Sequence, residues 1–114
     1  MKYLCLVYCD ESKLHSLPDG PEDSECHAYG QVLAESGHSV AAEALQPVST
    51  AATVRVRNGN VFVTDGPFAE TKEQLAGFYL IESRDLNEAI QLASKIPPAR
   101  VGSIEVRPVR QLDI

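Results

Sequence analysis

Tryptophan is absent, methionine occurs once, and aromatic residues make up only 6% of the 114-residue chain. Its core must therefore be aliphatic, with a few tyrosines and phenylalanines. No run approaches the ~20 apolar residues of a membrane span, and the opening MKYLCLVY lacks the long apolar stretch of a secretory leader. Basic residues are scarce: ten Lys+Arg against sixteen Asp+Glu give a net charge of -6. That balance argues against a nucleic-acid partner. The three cysteines, Cys5, Cys9 and Cys26, are an odd number. They fit free thiols in a reducing compartment, the cytoplasm, better than a disulfide framework. Cys5 and Cys9 lie about 13 Å apart if extended, too far to clasp one metal ion.

Motifs are missing too. No glycine pattern of a dinucleotide fold or a P-loop occurs. Ser49, Thr50 and Thr64 lack the surroundings of a nucleophile elbow. His15, His27 and His38 show no helical i, i+4 pairing. Neither a metal nor a cofactor is expected.

What is there suffices for one domain spanning residues 1–114. A chain of this length buries roughly two thirds of its unfolded surface without staples. Residues 2–8 read as a strand that is apolar on both faces, Tyr3, Cys5 and Val7 on one and Leu4, Leu6 and Tyr8 on the other. Such a strand is central in a sheet covered on both sides. After a polar connector with a Pro18-Asp19-Gly20 turn, Pro21 suits a helix start and Glu22, Asp23 and Glu25 its positive end. Helical spacing of Cys26, Tyr29, Val32, Leu33 and Ser36 predicts a helix over 21–36, stopped by Gly37.

Residues 38–45 form a weaker strand. The stretch 53–64 alternates β-formers about Asn58-Gly59, a strong hairpin signal that puts Val54, Val56, Val61 and Val63 on one face. Residues 75–82 are again apolar on both faces. Residues 85–96 predict a helix with Leu86, Ala89, Ile90 and Ala93 inward, Asp85 and Glu88 as capping box and Pro97-Pro98 as its end. Residues 103–109 alternate Ile104 and Val106 against Glu105 and Arg107, and Pro108 marks a sheet edge.

The order is β, α, β, hairpin, β, α, β. Setting the inserted hairpin aside leaves βαββαβ, an α+β ferredoxin-like plan. In it the two doubly apolar strands lie in the middle and both helices cover one face. The other face needs a cover, and a second copy is the simplest, so a homodimer through sheet faces is expected. Burying about 600 Å² of such a face is worth on the order of 15 kcal/mol gross, before association costs. The four-valine face of the hairpin, folded back, is the one internal element able to replace that copy.

The run Asp65-Gly66-Pro67-Phe68-Ala69-Glu70-Thr71-Lys72-Glu73-Gln74-Leu75, followed by Gly77-Phe78-Tyr79, resembles the DGPF branch of the YCII-related (YciI-like) family. Leu45-Gln46-Pro47 and Ile104-Glu105-Val106-Arg107-Pro108 extend the resemblance over nearly the whole chain; Ala76 stands where the branch commonly has glycine. The resemblance implies a dimeric α+β barrel. It also implies a histidine paired with an aspartate near a pocket, the histidine lying early in the first helix, where His27 stands. A few relatives act in aromatic degradation, dehydrochlorination included.

Two functional classes follow. One is a cofactor-independent acid–base enzyme, a lyase, isomerase or dehydrohalogenase acting on a small organic molecule. Asp65 is then the base or the ligand anchor and His38 its proton partner, since a histidine titrates near neutrality. Lys72 and Glu70 hold the substrate between aromatic walls such as Phe68, Tyr8 and Tyr79. The other is a non-catalytic dimeric module that binds a small molecule or a protein. Each residue also has a structural reading: Asp65 in a turn to its own backbone, Lys72 paired to a neighbouring acid, His38 facing a helix end, His27 on a solvent stripe.

Overall fold

The computed structural model describes residues 1–14 and 16–113; His15 lies outside the described residues. The elements are β1 (Lys2–Cys9), α1 (Asp23–Glu35), β2 (Ser39–Ala44), β3 (Ala52–Arg57), β4 (Asn60–Asp65), β5 (Gln74–Glu82), α2 (Leu86–Ala93) and β6 (Ser103–Pro108). Short 3₁₀ turns, Val48–Thr50 and Pro97–Arg100, precede β3 and β6. Four strands form an antiparallel sheet in the order β2-β5-β1-β6. The fold is α+β, with two antiparallel sheets and two helices, and its order is compatible with a ferredoxin-like arrangement.

The alternation of β1 decides which face is dry. Tyr3, Cys5, Val7 and Cys9 are buried, together with Tyr79 and Ile81 of β5, beneath Leu33 of α1 and Ala89 and Ala93 of α2. Two polar anchors tie the helical layer to this core. Tyr79 Oη donates to the Cys26 carbonyl at 3.0 Å and Tyr29 Oη to the Leu92 carbonyl at 2.6 Å. The opposite face carries Leu4, Leu6, Tyr8, Phe78 and Leu80, all half-buried. Both helices lie on the first face, so this second one has no helix over it.

α2 starts on a side-chain cap: the Asp85 carboxylate accepts from the Glu88 amide at 2.9 Å. Glu88 reaches back one residue further than in a regular capping box, to the Arg84 amide at 3.0 Å, and also pairs with the Arg84 guanidinium at 2.9 Å. Leu86 and Ile90, read as inward, point elsewhere, as does Val32 of α1. Val32, Leu86 and Ile90 are 54%, 45% and 49% exposed. α2 has only eight residues, so one stripe, Ala89 and Ala93, meets the sheet. Small alanines bring the helix close and leave Leu86 and Ile90 over its shoulder.

β3 and β4 pair with each other and with no other strand. Their turn is Asn58-Gly59, with φ of 52° and 77°, the left-handed values that a two-residue hairpin turn requires. Val54 faces Val63 and Val56 faces Val61. Folding back does not occur: all four valines are exposed. The molecule is a slab of 46 × 45 × 19 Å, as thin as one sheet with one helical layer.

Candidate functional site

Polar chemistry collects at the end of the sheet where β1 finishes and β5 begins. There Cys9 pairs with Gln74, and Tyr8 lies between Leu75 and Ser103. Just beyond, Asp10 organises the turn that leaves the sheet. Its carboxylate accepts from Ser12 Oγ at 2.6 Å and the Ser12 amide at 3.1 Å. The Ser12 bond, helped by the charges of Lys13 and Lys72, holds the Asp10 carboxyl below the usual carboxylate range. A cavity of about 200 Å³ opens here, lined by Cys9, Asp10, Lys13, Leu14, Lys72 and Glu73 among others. Two ammonium groups face two carboxylates in it. Burial, then the Glu73 charge, pushes the Cys9 thiol up, so it stays protonated and is no nucleophile at neutral pH.

Two bonds from Glu11 join this turn to the segment before β3 and to the start of β5. Glu11 Oε1 accepts from the Val48 amide at 2.9 Å, and the Glu11 amide donates to Gln74 Oε1 at 3.5 Å. On the far side Ser103 Oγ donates to Glu73 Oε1 at 2.8 Å. The segment from Asp65 to Gln74 is thus held at its C-terminal end by β6 and the loop after β1.

The backbone of the Asp65 loop is fixed. The Gly66 amide donates to the Ala51 carbonyl at 2.8 Å, and Thr53 Oγ1 donates to the Gly66 carbonyl at 2.9 Å. Gly66 has φ of 102°, which a residue with a Cβ resists. Thr71 Oγ1 and Gln74 Nε2 hold the far end of the loop, donating to the Glu73 and Thr71 carbonyls, but the Asp65 side chain takes no part. Asp65 is exposed, and among the described residues its carboxylate accepts no hydrogen bond and meets no cation within 4.0 Å. The Asx-turn reading of Asp65 is therefore not what the structure shows. Phe68 is 78% exposed, with the Arg55 guanidinium 5.4 Å from its ring centre. Glu70 is exposed nearby.

His38 lies elsewhere. Its Nδ1 donates to the Glu82 carbonyl at 2.7 Å, which fixes the proton on that nitrogen, and its own carbonyl accepts from the Glu82 amide. From there β2 runs to Ala44, about 17 Å of strand, before the chain turns toward the hairpin. Of the sequence candidates, Lys72 lines the cavity, Tyr8 points to the sheet face opposite Cys9, and Asp65, Phe68, Glu70 and His38 are not among the cavity's lining residues. His27 is exposed on α1.

Comparison with known proteins settles kinship. The YCII-related domain matches residues 1–113. The chain belongs to the YCII-related family. An uncharacterized protein of Rhizobium meliloti (strain 1021) is 40% identical, over 96% of this chain and 92% of the relative. Membership therefore extends from β1 to the end of β6 and includes the hairpin and the pinned segment.

Sequence reasoning noted Glu73 beside Lys72 and missed Asp10 and Lys13 in this YCII-related chain. Their local pattern is that of any polar connector. Only the long-range pairing of Cys9 with Gln74 sets Asp10 beside Lys72. A usable signal was present in the position of Asp10, the first residue after a central strand, where the chain turns off the sheet.

Proposed function

We propose that this YCII-related chain, in the DGPF branch, is one subunit of a homodimeric α+β barrel that binds a small polar organic molecule at this sheet end. It acts there by acid–base chemistry without a cofactor. The observation that carries the reading is the Asp65 loop, whose backbone is pinned while its carboxylate has no partner among the described residues. An ordered, unengaged carboxylate three residues along the chain from an exposed aromatic ring is suited to meeting something outside the chain. In this reading Asp65 takes a proton from the substrate and Lys72 holds the anion so formed. Phe68 and Tyr8 flank the substrate's apolar part, and Glu70 accepts a donor from it. His38 serves as proton partner only where the second copy presents it. The 200 Å³ cavity is smaller than the roughly 300 Å³ at which ligand pockets begin, which fits a site completed by that copy. Three free cysteines fit the cytoplasm.

A non-catalytic binding module is the second reading, favoured by the openness of Asp65 in the single chain. One experiment separates the two. A panel of small aromatic and lactone carboxylic acids is screened by thermal shift, and each hit is followed by NMR for consumption. Binding at a hundredfold excess over Kd adds about 2.7 kcal/mol. The enzyme reading expects turnover that drops about 10²- to 10⁴-fold in Asp65→Asn, and binding that weakens in Lys72→Gln. Turnover unchanged in Asp65→Asn contradicts it. A hit that binds and is never consumed selects the module.

A further inference from the structure

Given the homodimer proposed above, we infer that the β3–β4 hairpin is a clasp that docks by its valine face on the second copy of this chain. Val54, Val56, Val61 and Val63 make one continuous apolar face, each 57–66% exposed. A lone two-stranded ribbon is marginally stable in water, so this face needs a cover to persist. Its own body does not supply one.

The surface of the whole chain gives the size of what is missing. It exposes 8021 Å², whereas a compact monomer of its mass exposes about 6,100 Å². Its radius of gyration is 15.8 Å, against about 13 Å for a compact domain of this length. The excess, roughly 1,900 Å², is what one partner loses in an obligate dimer. Sheet face and hairpin are the surfaces that produce it.

Charge favours a copy of this chain as the occupant. Residues 52–64 carry Arg55 and Arg57 and no acid, a charge of +2; with -6 overall, the remainder carries -8. A basic, apolar ribbon thus extends from an acidic body. Two such chains related by a two-fold axis each offer the ribbon the acidic, apolar-faced partner it suits, and the contact closes on itself. Docking also carries Asp65, the last residue of β4, to the boundary between the copies, so the proposed site takes residues from both.

The test is the double variant Val56→Glu/Val61→Glu, one cross-strand pair near the hairpin tip, compared with the unaltered chain by sedimentation over nanomolar to micromolar concentration. Circular dichroism confirms the fold. A dimer constant weakened at least 100-fold supports the clasp. A second measurement on the unaltered chain does not depend on the variant folding: filtered nuclear Overhauser spectra of a mixed-isotope dimer, in which valine methyls of one copy show contacts to the other. An unaltered dimer with a variant constant within threefold, or without inter-copy valine contacts, overturns the clasp and leaves the homodimer standing. An unaltered chain that is monomeric overturns both.

Discussion

Cys5 has no solvent contact, and burial raises its thiol from 9.0 to about 11. Tyr79 is pushed up to about 12 by burial, then by the Cys26 charge. Cys9, Cys26 and Tyr29 move in the same direction, burial first. In each case the folded chain keeps a proton that the unfolded chain has already lost. Stability is then unaffected near neutrality, begins to fall as pH passes 9, and continues to fall to about pH 12. Cys5 alone accounts for a loss on the order of 2 kcal/mol by pH 11. Urea midpoints at pH 8 and pH 10.5 check this, and Cys5→Ala should flatten the decline between them. Gly66 supplies a second residue-scale prediction. At φ of 102° an alanine is strained by roughly 1–3 kcal/mol, and the strain falls on the loop that presents Asp65. Gly66→Ala should therefore loosen that loop, seen as faster amide exchange at Gly66 and Thr53, and leave exchange in β1 unchanged. Asp65 itself stood out in the sequence because Asp-Gly-Pro must turn. Whether its side chain served that turn depended on where Ala51 and Thr53 would lie, and these pair with it only across the hairpin.

α2 shows how far periodicity reads an element. Asp85, Glu88 and Pro97 mark its limits from sequence, and the structure agrees to within three residues at the C-terminal end. Removing the cap in Asp85→Ala should cost about 1 kcal/mol. For a chain this long that is a fall of about 4 °C in Tm, measurable by calorimetry. Asp85→Asn should retain most of it, because an amide oxygen still accepts from the Glu88 amide. Which side chains the helix buries was less legible. Periodicity gives a direction, whereas burial depends on length and tilt over the sheet, and an eight-residue helix seated on two alanines leaves Leu86 and Ile90 outside. The same distinction holds in the sheet. Alternation in β1 and β5 showed two apolar faces and so placed both strands centrally. It could not show that the hairpin would stand off the sheet, since its valines satisfy either a fold-back or a partner. Lys72 and Tyr8 were legible as candidates, but their relation to Asp10 and Glu73 comes from pairing between strands 65 residues apart in the chain.

On the scale of the whole molecule, the slab is one sheet with one helical layer. One sheet face is sealed by α1 and α2, and the other holds Leu4, Leu6, Phe78 and Leu80 without a helix over them. The hairpin and this face account for a surface larger than a compact monomer carries. In the proposed dimer the second copy completes the site, so assembly and function are linked: variants that weaken the dimer should also reduce ligand binding, as thermal-shift titration of Leu6→Glu would reveal. The most direct check on the account is the mass in solution. Multi-angle light scattering at micromolar concentration should report twice the 12.4 kDa chain. A single, well-folded 12.4 kDa species at that concentration would contradict it.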